Sequence, residues 1–292
     1  MIEIKVKKII ERLLIFLIGV PAITALVLLL PFKNNLILNL VIVFFSGVGA
    51  MEFSAMLEKK QIRLSKIESF ILGALAPLAI TLHVSFLLPG WTVLTIIMAG
   101  AVWALTSRVF SRKAEIETIT NQIVGGFSLI LYPGIFMFWL IMMSGWGNPA
   151  AILLFLFITF GNDSIAWLFG TLFGKNNRGI ILVSPNKSIA GFIGGLIGSI
   201  LVAIAALYIT PSLFNAGECI TASPLLLAII TGLCTGIAAT LGDLAESAIK
   251  RSCDFIDSGN SILGRGGVLD SIDSIAFAAP VFYLLFSKLF QC

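Results

Sequence analysis

The chain has six aspartates, and five of them fall in one stretch, Gly242 to Asp273: Asp243, Asp254, Asp257, Asp270 and Asp273. The sixth is Asp163, and the first 162 residues contain none. Carboxylates in or beside hydrocarbon are costly and are retained where they have work to do. Here they lie close in sequence to Lys250, Arg251 and Arg265 and to Gly264, Gly266 and Gly267. Acids, fixed cations and bare backbone amides together suit a divalent cation carrying a polyphosphate.

The spacing of these groups says which elements must position them. Asp243, Glu246, Ser247 and Lys250 stand at i, i+3, i+4 and i+7, one face of a helix. An internal Glu246–Lys250 ion pair accounts for part of that face but leaves Asp243 unexplained. Asp270 and Asp273 stand at i and i+3 where a helix begins, and acids there also suit the helix dipole. Capping needs one of them, not two. Upstream, Asn162, Asp163 and Ser164 interrupt an apolar run that ends at Lys175. In the following loop Ser184-Pro185 favours a turn, and Ser188 is placed to cap the next helix. A helix N-terminus flanked by Lys175, Arg178 and Lys187 is an anion site in kind, although Arg178 reads as ordinary interfacial charge. Glu52, one turn inside an apolar span, reads as an interfacial carboxylate, and the lone His83 carries no assigned role.

The chain has 292 residues, 58% of them hydrophobic and only 12% charged. Soluble domains carry about 25% charged residues, so the class is an all-α polytopic integral membrane protein. Nine spans can be drawn, near 11–31, 36–57, 69–88, 91–107, 122–144, 149–173, 189–210, 223–249 and 271–290. The first reads as a retained transmembrane helix rather than a cleaved signal. The intervening loops then place 17 of the 19 basic residues on one side, Lys33 and Lys288 being the exceptions. The positive-inside rule makes that side cytoplasmic. We expect one membrane-embedded domain over 1–292, with N-terminal helices over 1–120 and a half carrying the motifs over 121–292. Spans one to four read as plain lipid-facing helices. No basic run interleaved with aromatics suggests nucleic acid. The four scattered cysteines form no CxxC pair, so neither zinc nor a disulfide frame is indicated.

The last third resembles CDP-diacylglycerol synthase, the phosphatidate cytidylyltransferase family. Its signature runs S-x-x-K-R-x4-K-D-x-G, a spacer, then H-G-G-x-x-D-R-x-D. Ser247, Lys250, Arg251, Asp257, Gly259, Gly266, Gly267, Asp270 and Asp273 fall at the matching places. Asn162 through Lys175 resemble the family's N-D-S-x-A-[YW] element, and Ser184, Pro185, Lys187 and Ser188 its S-P-x-K-[ST] loop. The blocks stay in order over residues 162–292. This chain departs at Ile256, Arg265 and Ser271, where the family has Lys, His and Arg, and at Asn186 and Ala190, where it has Lys and Glu.

The resemblance implies transfer of CMP from CTP to phosphatidic acid, giving CDP-diacylglycerol and pyrophosphate. It implies Mg2+ or Mn2+, with a second cation allowed, held by Asp243, Asp270 and Asp273. Lys250 and Arg251 complete the implied catalytic set. Asn162, Asp163, Lys175, Ser184, Lys187, Ser188, Glu246, Ser247, Gly264, Arg265, Gly266 and Gly267 are the implied substrate-binding residues. The implied partners are CTP, phosphatidic acid and the lipid bilayer of a bacterial plasma membrane, with no nucleic acid; a homodimer is one assembly it allows. Two rival readings of the same residues stay open. A CTP-dependent lipid kinase would need a base such as Glu246 or Asp163. A secondary transporter would use the carboxylates for coupling, although its polar residues are usually shared between two repeats.

Overall fold

The computed structural model describes residues 17–109, 116–214, 222–262, 264 and 266–290. The described residues are helical and loop, apart from two isolated antiparallel bridges. Seven helical segments are long and apolar enough to cross a membrane: Phe32–Glu58, Lys66–Phe86, Ile116–Ser144, Pro149–Leu172, Ile189–Ile209, Pro224–Ser252 and Leu269–Phe290. Two shorter apolar helices, Leu17–Leu29 and Gly90–Thr106, fall where the other two spans are expected. At 1.5 Å per residue the 17 residues of Gly90–Thr106 reach about 26 Å, a little less than the roughly 30 Å hydrocarbon core. The start of the first expected span lies outside the described residues.

The chain divides into two compact units, Met1–Gly147 with Ser252–Ile272, and Asn148–Arg251 with Asp273–Cys292. The first unit contains α1 (Leu17–Leu29), α2 (Phe32–Glu58), α3 (Lys66–Phe86), α4 (Gly90–Thr106), α5 (Ile116–Leu129) and α6 (Phe136–Ser144). Its helices are not plain lipid-facing rods as expected. α2 and α3 bury polar residues at mid-length, and Ser46 Oγ donates to the Gly73 carbonyl at 2.8 Å. A side chain on Gly73 would strike Ala50, so the two backbones meet because both residues are small. Lys33, Asn34 and Asn35 are left-handed, with φ of 47°, 56° and 58°. Asparagine tolerates that region because its amide bonds locally; here Asn34 and Asn35 donate to the carbonyls of Val84 and Val27, each at 2.8 Å. α3 starts at a Ser65 cap. Between α5 and α6 the chain makes a π-helical turn, Ile130–Ile135, where Pro133 cannot supply the backbone N–H of a regular helix.

The second unit contains α7 (Pro149–Leu172), α8 (Ile189–Ile209), α9 (Pro224–Ser252) and most of α10 (Leu269–Phe290). α7 and α8 run antiparallel along a stripe of glycines: Gly191 faces Ala166, Gly194 faces Phe169 and Gly198 faces Ile165. Ser188 caps α8 as expected, accepting from Gly191 N at 3.1 Å. Gly232 and Gly236 of α9 pack on Ser199 of α8, and Gly242 packs on Asp273 and Phe277 of α10. The far end is filled by aromatic rings, with Phe155 and Phe282 centred 5.3 Å apart and Phe282 and Phe286 5.1 Å apart.

Candidate active site

In the second unit, four helices converge on Asn162 and Asp163. Asn162 is buried, and its Oδ1 accepts from Ser199 Oγ of α8 at 3.2 Å. Its Nδ2 donates to Thr240 Oγ1 of α9 and to Asp163 Oδ1, both at 3.4 Å. Asp163 Oδ1 also accepts from Ser274 Oγ of α10 at 3.4 Å. The interruption of the apolar run at residues 162–164 is therefore a polar tie between helices. Such ties are retained within hydrocarbon because the alternative is an unsatisfied polar group.

Around that tie sits the charge. Asp273 is buried, and Asp163, Asp243 and Glu246 are close enough to act on its carboxylate electrostatically. Asp243 Oδ2 is ion-paired with Lys187 Nζ, which the loop before α8 delivers. That loop is held by the pairing of Arg178 with Ser188 and by Gly179 N donating to the Pro185 carbonyl at 3.0 Å. Arg178 itself donates to the Gly170 carbonyl at 3.0 Å, a helix-end contact. One turn along α9 the expected Glu246–Lys250 pair is formed at 2.5 Å, fully buried on the glutamate side. Ser247 is buried beside it, Arg251 and Lys175 are exposed, and Ser184 is half-buried.

The six side chains Asp163, Asp243, Glu246, Asp273, Lys187 and Lys250 carry four formal negative charges and two positive ones. Hard oxygen donors with an acidic surplus are the right kind of set for a divalent cation. Among the described residues no three acids, histidines or cysteines close on one point as an ion's ligands. Asp243 already holds a cation, the Lys187 ammonium, in an ion pair that is partly exposed and can exchange.

In the first unit, the loop after α9 and the first turn of α10 form a second polar centre. Ile262 and Gly266 exchange backbone hydrogen bonds at 2.8 and 3.0 Å across a tight turn, with Gly264 and Gly266 at φ of 70° and 107°. Such φ values are what glycine permits. Arg265, within the turn, lies outside the described residues. Asp270 Oδ2 accepts from Ser258 N at 2.8 Å, Ser258 Oγ at 2.9 Å and Gly267 N at 2.8 Å. The aspartate therefore ties the loop to its own helix start.

Glu52 corrects the reading of an interfacial carboxylate. It is 9% exposed, and its Oε2 accepts from Leu269 N at 2.9 Å and Ser258 Oγ at 3.1 Å. Its Oε1 accepts from Ser261 Oγ at 2.8 Å. Gly259 and Gly267 lie against the same carboxylate, where no side chain fits. The only trace of this in the sequence is an acid set one turn inside an apolar span.

Apolar helices of bilayer length with carboxylates and Lys250 buried among them define a polytopic membrane protein with a charged centre. The chain belongs to the cytidylyltransferase family, which it matches over residues 10–289. It is 38% identical over 148 residues to the uncharacterized protein YnbB of Escherichia coli (strain K12), covering 50% of this chain and 46% of that protein. It is 39% identical over 134 residues to a phosphatidate cytidylyltransferase of Staphylococcus aureus (strain COL), covering 46% of this chain and 48% of the relative. With the phosphatidate cytidylyltransferase of Staphylococcus haemolyticus (strain JCSC1435) it shares 39% over 123 residues, 42% of this chain and 44% of the relative. The chain spans about half the length of the curated relatives it matches.

Proposed function

We propose that this chain transfers CMP from CTP to phosphatidate, releasing pyrophosphate and leaving CDP-diacylglycerol in the bilayer. A phosphate oxygen of phosphatidate attacks the α-phosphorus of CTP, and the bond from that phosphorus to the oxygen bridging to the β-phosphate breaks. The nucleophile is ionised near neutral pH, so the step needs no strong base. The obstacle is bringing two anions together. A bound magnesium or manganese ion would supply positive charge to offset that of the phosphates. The resemblance to the family assigns Asp243 and Asp270 to it, with Asp273 in support; within the second unit Asp243 and Asp273 are the acids that would hold it. Lys187, Lys175, Lys250 and Arg251 would hold phosphate oxygens in place, and Lys187 would exchange Asp243 for a phosphate as substrate arrives. The site would face the cytoplasm of a bacterial plasma membrane, with the lipid entering sideways between helices.

What carries the reading is the Lys187–Asp243 ion pair on the same helical face as Glu246 and Lys250, within a chain of the cytidylyltransferase family. The test is the full chain, purified, with magnesium, phosphatidate and CTP labelled on either phosphate. α-Label is expected in lipid and γ-label in pyrophosphate. γ-Label in lipid would establish a lipid kinase and overturn the proposal, as would no turnover of CTP.

A further inference from the structure

We infer that Glu52 of α2 is a positioning residue for the loop that carries Gly259, Gly266, Gly267 and Asp270, acting on Asp270 through Ser258. Its importance for turnover rests on the function proposed above; its hold on the loop does not.

The argument runs from the hydrogen bonds. Ser258 Oγ stands 3.1 Å from Glu52 Oε2 and 2.9 Å from Asp270 Oδ2. A hydroxyl has one proton, so it serves one carboxylate at a time, and each carboxylate sets the orientation the other sees. Asp270 N in turn donates to Ser258 Oγ at 3.3 Å. Glu52 also takes the first backbone N–H of α10, that of Leu269. An N-terminal amide of a helix needs an acceptor, and here the acceptor comes from another helix rather than from the loop before it. Ser261 fixes the remaining oxygen. One buried carboxylate thus pins the loop at Ser258, at Ser261 and at the start of α10.

Packing supports the same conclusion. Gly49, one turn before Glu52, receives Leu269 and Ile272, with a methyl on it lying 3.2 Å from Ile272 Cδ1. A methyl on Gly259 would lie 2.6 Å from Glu52 Oε1, and one on Gly266 would lie 2.6 Å from Asp270 Oδ2. These glycines leave room for the two carboxylates. Residues that orient a metal-binding carboxylate typically change metal affinity or activity by about 10- to 100-fold when removed.

The experiment uses the full chain in lipid nanodiscs, comparing wild type with Glu52→Ala, Glu52→Gln and Ser258→Ala, and with Glu58→Gln as a control on the exposed end of the same helix. Two quantities are read. The first is the rate of maleimide modification of Cys253, a buried thiol at the start of the loop, followed by peptide mass spectrometry. The second is the magnesium concentration giving half-maximal turnover. Glu52→Ala should raise the Cys253 rate about tenfold or more and raise the magnesium requirement by a similar factor. Glu52→Gln should fall between, because an amide keeps one acceptor oxygen, and Ser258→Ala should shift the magnesium requirement with Leu269 still held. Glu58→Gln should match wild type. A folded Glu52→Ala protein with wild-type Cys253 modification and wild-type magnesium dependence overturns the inference. If Glu52→Ala does not fold, wild-type values of both quantities in Glu52→Gln and Ser258→Ala overturn it. If wild type shows no transferase activity the proposed function fails, while the Cys253 rates still decide the role of Glu52.

Discussion

Gly259 offers a test of how tightly the Glu52 carboxylate is fixed. A methyl at this position would lie 2.6 Å from Oε1, 3.0 Å from Cδ and 3.4 Å from Cγ of Glu52. Comfortable carbon contacts begin at about 3.5 Å, so the carboxylate must retreat by roughly 1 Å. A free side chain would do so at little cost. Glu52 is held by bonds of 2.8, 2.9 and 3.1 Å from Ser261, Leu269 and Ser258, and a retreat of that size takes at least one of them beyond bonding distance. A hydrogen bond to a charged group contributes about 1.5–3 kcal/mol, and overpacking costs about 1–3 kcal/mol. Gly259→Ala should therefore destabilise the protein by about 2.5–6 kcal/mol. Unfolding by SDS titration in mixed micelles, followed by tryptophan fluorescence, reads this directly. The partner variant Glu52→Asp withdraws the carboxylate by one methylene, about 1.5 Å. It should be destabilising alone, yet relieve the new methyl. The double variant should then cost at least ~1 kcal/mol less than the two single changes combined. A neutral Gly259→Ala, or additivity within about 0.5 kcal/mol, would refute the claim that the carboxylate is pinned.

Three further outcomes are expected. Asp243→Asn or Asp270→Asn should lower turnover by on the order of 100-fold or more without loss of folding, and the pair should be non-additive, whereas Asp254→Asn, in the exposed loop, should be mild; steady-state kinetics with labelled CTP checks all four. Glu246→Ala should destabilise the second unit by about 3–5 kcal/mol, because it removes the carboxylate paired with the buried Lys250 ammonium, and Glu246→Met with Lys250→Met should recover most of that loss in the same SDS titration. Single cysteines at Lys60 and Leu87, in a background lacking the native cysteines, should react with impermeant reagents from opposite faces of the membrane; reaction from the same face would remove the basis for the proposed cytoplasmic site.

The helices were legible because bilayer length and apolar runs leave few alternatives, and the local devices were legible because their signals are local. Ser188 caps α8, and Glu246 reaches Lys250 at i+4, by rules that involve only neighbours in sequence. Glu52 escaped for the opposite reason. Its partners Ser258, Ser261 and Leu269 lie 206, 209 and 217 residues away, and no periodicity links an acid on one helix to amides that far along. In the sequence, Gly264, Gly266 and Gly267 suit backbone amides that approach a ligand. The contacts give Gly259, Gly266 and Gly267 a second demand, room for Glu52, Asp270 and Ser258. Nor did the sequence announce the left-handed turn at Lys33–Asn35, which uses no glycine and depends on carbonyls supplied by α1 and α3.

The distance between Glu52 and its donors also bears on how the protein is made. α2 is synthesised and meets the membrane before Leu269 exists, and at ~5–20 residues per second the wait is about 10–40 s. Through that interval the carboxylate has none of the three donors that hold it in the finished chain. A carboxylate without those donors is costly in hydrocarbon, and water is its alternative partner. Glu52 can bond Ser258, Ser261 and the start of α10 only once that loop has been made. A nascent chain stopped before Ser258 lacks all three of these donors, a chemical difference at Glu52 between it and the longer chain.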